Sequence, residues 1–327
     1  MAKIITQTTD LRTWKEESYV SGSAQWTVSG NGEQVVQSIN GNPAFFYSDF
    51  TVFNTKVSGT IIPGNSGDDD FIGFALGFNP GDTKNPNANF ILIDWKKGTQ
   101  AYGGGTAQVG LAVSLVTGIP PLTPDMWGHT GKVKELARAK TLGSVGWVNN
   151  VEYKFDFVYG KSHLEIFVNG VLEFDIQGNF SEGRIAFYNY SQENVIYKGF
   201  ESKIFPNGKV EVPANLVAGL EFLNPLDEGV AKVKLTPSGN WSVKSDKTVT
   251  SAGEKDAKLF NQVAYPNNTP YSLVVLNQAT DQVIDELDST KVITMEAAQK
   301  IVLKMNDEPG WYWDNTGNIA VDWIVVE

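Results

Sequence analysis

The sequence predicts an all-β protein built from two sandwich domains. Its apolar runs are short, and turn signals rich in Gly, Asn, Pro and Ser bound them. The composition agrees, because 32 glycines and 9 tryptophans suit a turn-rich β protein with aromatic clusters. The length of 327 residues suits about two domains. Turn-forming residues at 205–209 favour a boundary there, so we expect one domain at 1–204 and a second at 205–327.

The first domain is organised around residues 71–78, where large apolar side chains alternate with Gly and Ala. A short apolar run of this kind, bounded by turn residues, indicates a buried sandwich strand. The dipeptide Asn169-Gly170 between two apolar runs predicts a tight hairpin. The further strands that we expect are 24–28, 34–39, 45–47, 50–53, 57–62, 89–97, 109–116, 153–159, 164–168, 171–174 and 183–190.

A long irregular segment, residues 117–144, interrupts this series and is punctuated by three prolines. Within it, residues 132–140 form either a short basic helix or an extended stretch over the sandwich. Long excursions between strands often carry function, but they also serve to cover a sheet face.

Three acids, Asp68, Asp69 and Asp70, stand immediately before the central strand. Carboxylates cannot share the apolar core, so they belong to the preceding loop, where hard oxygen ligands suit a calcium ion. The alternative is a solvated acidic turn.

The second domain has expected strands at 217–220, 231–235, 241–243, 273–276, 300–305 and 319–324. Its acidic loop, residues 305–318, combines carboxylates, amides and loop carbonyls, which again suits a hard cation. The alternative here is an aspartate-stabilised turn. Aromatic residues at 311–313 offer an amphipathic face for a sugar, although strand alternation would place at least one of them in the core.

Composition excludes several classes of function. A formal charge of −11 argues against binding nucleic acid or an anionic membrane. Without cysteine there is no thiolate site, and the two histidines, His129 and His163, are too few for a histidine-built metal site. No apolar leader or membrane-spanning stretch is visible. No compact carboxylate pair marks a glycosidase, although Glu165, Glu173 and Asp175 share a hairpin, so we expect a protein that is not an enzyme.

Residues 15–203 carry a series of motifs that resembles the lectin-like C-terminal domain of the thrombospondins. The motifs are the acidic triplet before the Gly- and Phe-rich strand, Asp94-Trp95-Lys96, Trp127 with His129-Thr130-Gly131, Gly146-Trp147, Gly183-Arg184-Ile185 and Ser191-Gln192-Glu193-Asn194. The resemblance implies a concanavalin-like jelly-roll sandwich with calcium at its rim. That calcium would lie between Asp69 or Asp70 and the turn at Ser191.

Residues 212–327 resemble the small galactose-binding calcium lectins of the LecA type. The resemblance rests on the run from Asn306 to Gly317 and on the order of the flanking strands. It implies a smaller galactose-binding-like β-sandwich. Calcium would be held by the side chains of Asp307, Asp314 and Asn315 and by the backbone carbonyls of Trp311 and Lys244. Asp307, Trp313 and Asp314 would contact the sugar, but the lectins' sugar-contacting loop has no counterpart between 247 and 258, which leaves galactose specificity open.

Two functional hypotheses follow. The first is a calcium-supported lectin-like protein that binds glycans or a glycosylated surface in adhesion. The second is a structural protein, such as a virion decoration or fibre-associated subunit, which uses the same folds for assembly. A surface-exposed phage protein would satisfy both. We therefore expect an extracellular or virion-surface location, glycans or adhesin and virion subunits as partners, a possible homo-oligomer, and no membrane insertion.

Overall fold

The computed structural model describes residues 3–243 and 247–326. Residues 5–204 form one compact unit, and residues 205–243 and 247–326 together with Lys3 and Ile4 form another. Among the described residues, no helix is both long enough and apolar enough to cross a membrane.

The first unit contains seventeen of the described strands. They are β1 (Ile5–Thr8), β2 (Lys15–Ser18), β3 (Trp26–Val28), β4 (Gln34–Gln37), β5 (Ala44–Thr51), β6 (Thr55–Pro63), β7 (Phe71–Phe78), β8 (Asn89–Lys96), β9 (Gln100–Tyr102), β10 (Gly105–Ala107), β11 (Gly110–Thr117), β12 (Val133–Arg138), β13 (Tyr153–Tyr159), β14 (His163–Val168), β15 (Val171–Gln177), β16 (Arg184–Tyr190) and β17 (Val195–Ile204). Short helical turns lie at Leu11–Thr13, Asp82–Lys84 and Leu122–Met126.

Fifteen of these strands form two large antiparallel sheets, as expected for a jelly-roll sandwich, and β9 and β10 pair only with each other. One has the order β15-β14-β13-β6-β17-β4-β3, with β1 also paired to β17, and the other has the order β12-β11-β8-β7-β16-β5-β2. Strand alternation sends Ile72, Phe74 and Leu76 of β7 into the core between the sheets. The predicted concanavalin-like, all-β architecture is confirmed.

The seven-stranded sheet carries a second apolar layer on its other face. Phe71 and Ala75 of β7 point there, where Met126, Trp127 and Val133 of the long segment cover them. Trp127 meets the ring of Phe71 edge-on with the ring centroids 5.5 Å apart. The segment that begins after β11 is therefore a cover for this sheet face, and its basic part is extended as strand β12.

The second unit contains the remaining described strands, which form a smaller sandwich. They are β18 (Asn207–Pro213), β19 (Leu220–Leu223), β20 (Ala231–Ser238), β21 (Trp241–Ser242), β22 (Thr248–Val249), β23 (Leu273–Asn277), β24 (Gln282–Glu286), β25 (Lys291–Met295), β26 (Lys300–Met305) and β27 (Thr316–Val326), with a helical turn at Tyr312–Asp314. One sheet has the order β22-β21-β27-β20-β25 with β18 also on β27, and the other has the order β19-β26-β23-β24.

Three details of this unit differ from expectation. The segment expected to be only a boundary turn begins strand β18, whose partner is β27. The strand expected at 217–220 begins at Leu220 instead, because Gly219 adopts a positive φ of 71° that ends an extended run. Strands β24 and β25 escaped prediction, and each exposes an apolar side chain, Ile284 in β24 and Val292 in β25.

Candidate functional site

The acidic triplet of the first unit is held by a lysine. Lys96 is fully buried, and its Nζ lies 2.7 Å from Asp70 Oδ1 and 2.9 Å from Asp69 Oδ1. It also donates to Gln100 Oε1 at 3.0 Å. Strand register explains the placement, since β7 and β8 pair Phe71 with Lys96. The ammonium group thus supplies a positive charge where the sequence predicts calcium.

Asp70 and the predicted turn at Ser191 do come together. The backbone N–H of Asp70 donates to Gln192 Oε1 at 3.0 Å. Burial raises the pKa of Asp70, and hydrogen bonds from Lys96 and Ser191 oppose that effect only in part. A calcium ion at Asp69, Asp70 and Ser191 would have to share the carboxylates with the ammonium group, and this assignment stays a prediction.

The cover of the outer sheet face is fastened by His129. Its Nε2 lies 2.9 Å from Asp94 Oδ2, and its Nδ1 lies 3.4 Å from Glu135 Oε2. Burial alone would lower the pKa of His129, but the charge and hydrogen bond of Asp94, with help from Glu135, raise it to about 9. His129 thus holds the cover to the sheet, and Trp127 and Trp147 are buried as well.

The second unit holds an acidic pocket in the loop after β26. Asp307 is buried, and its Oδ2 accepts from Asn315 Nδ2 at 2.7 Å. Burial raises the pKa of Asp307, and the hydrogen bond from Asn315 offsets this only partly. Tyr312 lies beneath the pocket, where its hydroxyl donates to the carbonyl of Met305 at 2.9 Å. A buried carboxylate whose charge is only partly compensated is a suitable ligand for a hard cation.

An exposed aromatic group borders this pocket. Phe260 and Trp311 are stacked with ring centroids 5.4 Å apart, and Trp311 stacks on Trp313 at 6.3 Å. The side chains of Phe260 and Trp313 are 71% and 75% exposed. Glu308 positions the loop that carries Phe260, because its carboxylate accepts from the backbone N–H groups of Phe260 at 3.0 Å and of Asn261. We call Phe260, Trp311 and Trp313 the aromatic ledge.

The structure brings the predicted residues of the second unit together. The pocket is lined by Val243, Phe260, Tyr271, Asp307, Glu308, Trp311, Asp314 and Asn315. The predicted carbonyl ligand Lys244 lies outside the described residues. Sequence reasoning missed Phe260 and Glu308. Phe260 comes from an irregular segment without periodicity, whereas Glu308 stood within the predicted loop.

The aromatic residues at 311–313 lie on a helical turn instead of a strand. Tyr312 is buried, Trp311 is half-buried and Trp313 is exposed. The expectation that one of the three enters the core is confirmed, and the turn provides the geometry that alternation along a strand was expected to give.

Residues 21–204, more than half of the chain, match the family model described as the thrombospondin C-terminal region. The chain belongs to this family. Among curated relatives, human thrombospondin-3 is 26% identical over 196 residues, which cover 54% of this chain and 20% of that protein. Thrombospondin-4 of Bos taurus is 27% identical over 196 residues, which again cover 54% of this chain and 20% of that protein. The chain therefore spans about a fifth of the length of these relatives.

Solved structures share only a loose similarity with the chain. A carbohydrate-binding module, CBM66 of Bacillus subtilis, aligns with a TM-score of 0.38 and 11% identity over 57% of this chain and 94% of that one. A family 16 endo-glucanase of Bacteroides ovatus aligns with a TM-score of 0.37 and 12% identity over 60% of this chain and 99% of that one. The match of the second unit to LecA-type lectins stays a prediction.

Proposed function

We propose that this thrombospondin C-terminal family protein is a non-enzymatic, calcium-supported carbohydrate-binding protein with its sugar site in the second unit. The observation that carries the proposal is the exposed aromatic ledge beside a buried acidic pocket. Aromatic faces suit the apolar faces of sugar rings, while carboxylates suit their hydroxyl groups. The family assignment of the first unit agrees with a lectin-like binding role.

Calcium fits the donor set of the pocket. Asp307 and Asp314 offer carboxylate oxygens, Asn315 offers an amide oxygen, and Trp311 offers its carbonyl, which accepts only a long hydrogen bond of 3.3 Å from the N–H of Asp314. Asn315 would turn its amide oxygen toward the ion in place of its Nδ2. A bound ion would hold the loop that carries the ledge, and Asp307, Trp313 and Asp314 would contact the sugar.

A glycan array tests this proposal. The full chain is applied with calcium and with chelator, alongside W313A and D307N. We expect chelator and D307N to abolish binding and W313A to weaken it. The matched control is Y102A, which removes an aromatic ring that is 60% exposed in the first unit and should leave binding intact.

The alternative function, a structural subunit without sugar binding, predicts a different outcome on the glycan array. A virion subunit that uses these folds only for assembly would bind no glycan under either condition. Binding that survives chelator and W313A equally would also contradict the proposed site.

A further inference from the structure

The outer face of hairpin β14–β15 carries three metal-ligating side chains outside the sites described above. His163 and Glu165 are two residues apart on β14, so they share a face, and Asp175 is the direct cross-strand partner of Glu165. Leu164 and Ile166 point the other way into the core. The hairpin is at the edge of the eight-stranded sheet, which fixes the backbone under all three.

We propose that His163, Glu165 and Asp175 form a binding site for a divalent transition-metal ion, with Zn²⁺ as the representative. The site is independent of the proposed sugar site. Its donor set of one imidazole nitrogen and two carboxylate oxygens suits zinc and its neighbours better than calcium, which prefers oxygen alone.

The distances fit a metal after small side-chain movements. The Nε2 atom of His163 lies 2.7 Å from Asp175 Oδ1 and 3.9 Å from Glu165 Oε1. Ligand atoms on a tetrahedral zinc ion, with bonds of about 2.0–2.2 Å, lie about 3.3–3.6 Å apart. The two observed distances bracket this range, and one ligand atom from each of the three residues lies within 4.8 Å of the others.

The charges of the two carboxylates also favour a bound cation at this site. Glu165 and Asp175 face each other directly across the two strands, and like charges in that position destabilise a sheet. A divalent cation between them would reduce the repulsion further than the contact of His163 with Asp175 at 2.7 Å does. Binding requires the lone pair of His163 Nε2, so the ring proton would lie on Nδ1. Three protein ligands leave a further coordination position for water or for a group on another molecule.

The test is a titration of the chelator-stripped full chain with zinc chloride, in excess calcium chloride so that the oxygen-rich loops are supplied with their own ion. We expect the wild-type chain to take up one zinc ion at this site. His163→Gln and Asp175→Asn should each weaken that uptake at least about tenfold, and Glu165→Gln should weaken it as well. The control is Glu152→Gln, which makes the same chemical change in a carboxylate that pairs with Lys198.

Nitrogen-15 NMR of the imidazole rings gives an independent readout. The chain has only two histidines, so zinc should shift the Nε2 signal of His163 and leave that of the buried His129 unchanged. Thermal melting without zinc checks that each variant is folded. An unshifted His163 signal, or zinc uptake that is equal in wild type, His163→Gln and Asp175→Asn, would overturn the proposal.

Discussion

Replacing Lys96 with methionine tests whether the first unit supplies its own cation to the acidic triplet. Methionine keeps an apolar stem against the rings of Phe71 and Trp127, which lie 5.8 and 5.4 Å from the ammonium nitrogen. It removes the charge that lies between Asp69 and Asp70. The substitution therefore isolates the electrostatic contribution from packing.

The magnitude follows from the exposure of each partner. Asp70 is 8% exposed and Lys96 is fully buried, and breaking a buried pair costs about 3–5 kcal/mol because the remaining charge is uncompensated. Asp69 is 43% exposed, so its share is small. We expect K96M to lose about 3 kcal/mol, which lowers the melting temperature of a unit of this size by about 6–12 °C.

Calorimetry in chelator measures the loss, and hydrogen exchange of the β7 and β8 amides locates it. Calcium should restore part of the stability of K96M, because the freed carboxylates then accept the ion. The control is K198M, which breaks a pair with Glu152 in which the two side chains are 35% and 60% exposed and should cost less than about 1 kcal/mol.

A second substitution makes the reasoning refutable. In K96M/D70N the buried carboxylate is gone, so the double variant should be more stable than K96M. If K96M melts like the wild type, or if D70N does not rescue it, then Lys96 is not the cation that compensates Asp70.

Three more predictions concern other parts of the chain. The pKa of His129 is raised to about 9. The stability that charged His129 gives the fold is therefore complete below the ordinary histidine pKa near 6.5 and is lost as the pH rises through 9. Urea unfolding should therefore show that the free energy of unfolding falls by about 3 kcal/mol over that pH range. H129Q should flatten this dependence of stability on pH. G73A should destabilise the first unit by several kcal/mol in the same assay, since a Cβ there would lie 2.0 Å from the carbonyl oxygen of Ile93; equal stability would refute this. Because burial raises the pKa of Asp307, calcium binding should begin to weaken on acidification while the pH is still above 3.8. Calcium titrations at several pH values would show this loss. A calcium affinity that stays unchanged down to pH 3.8 would contradict the prediction.

The strands were predictable where side-chain pattern alone determines them. The apolar run at 71–78 predicted strand β7 correctly, because a short apolar run bounded by turn residues is typical of a buried strand. The choice between helix and strand at 132–140 could not be made from the sequence, because its lysines and glutamate fit either. This segment is a strand because it pairs with β11 at the edge of the seven-stranded sheet.

The candidate site was predictable only where its residues are close in the chain. Asp307, Trp311, Asp314 and Asn315 lie in one loop, so their meeting was foreseeable. Lys96 was predicted only to lie near the end of the strand at 89–97, because the register that sets it beside Asp70 is a property of the paired strands. Phe260 joins Trp311 from a loop 51 residues away, which no local pattern reveals.

The apolar cover on the seven-stranded sheet has a consequence for how the first unit can recognise anything. Trp127 and its neighbours bury this sheet face, and His129 closes the cover with a buried ionic contact. A ligand of residues 5–204 therefore cannot lie directly on Phe71 or Ala75 of β7 while the cover is in place, and it would instead contact the outside of the cover or another part of the surface.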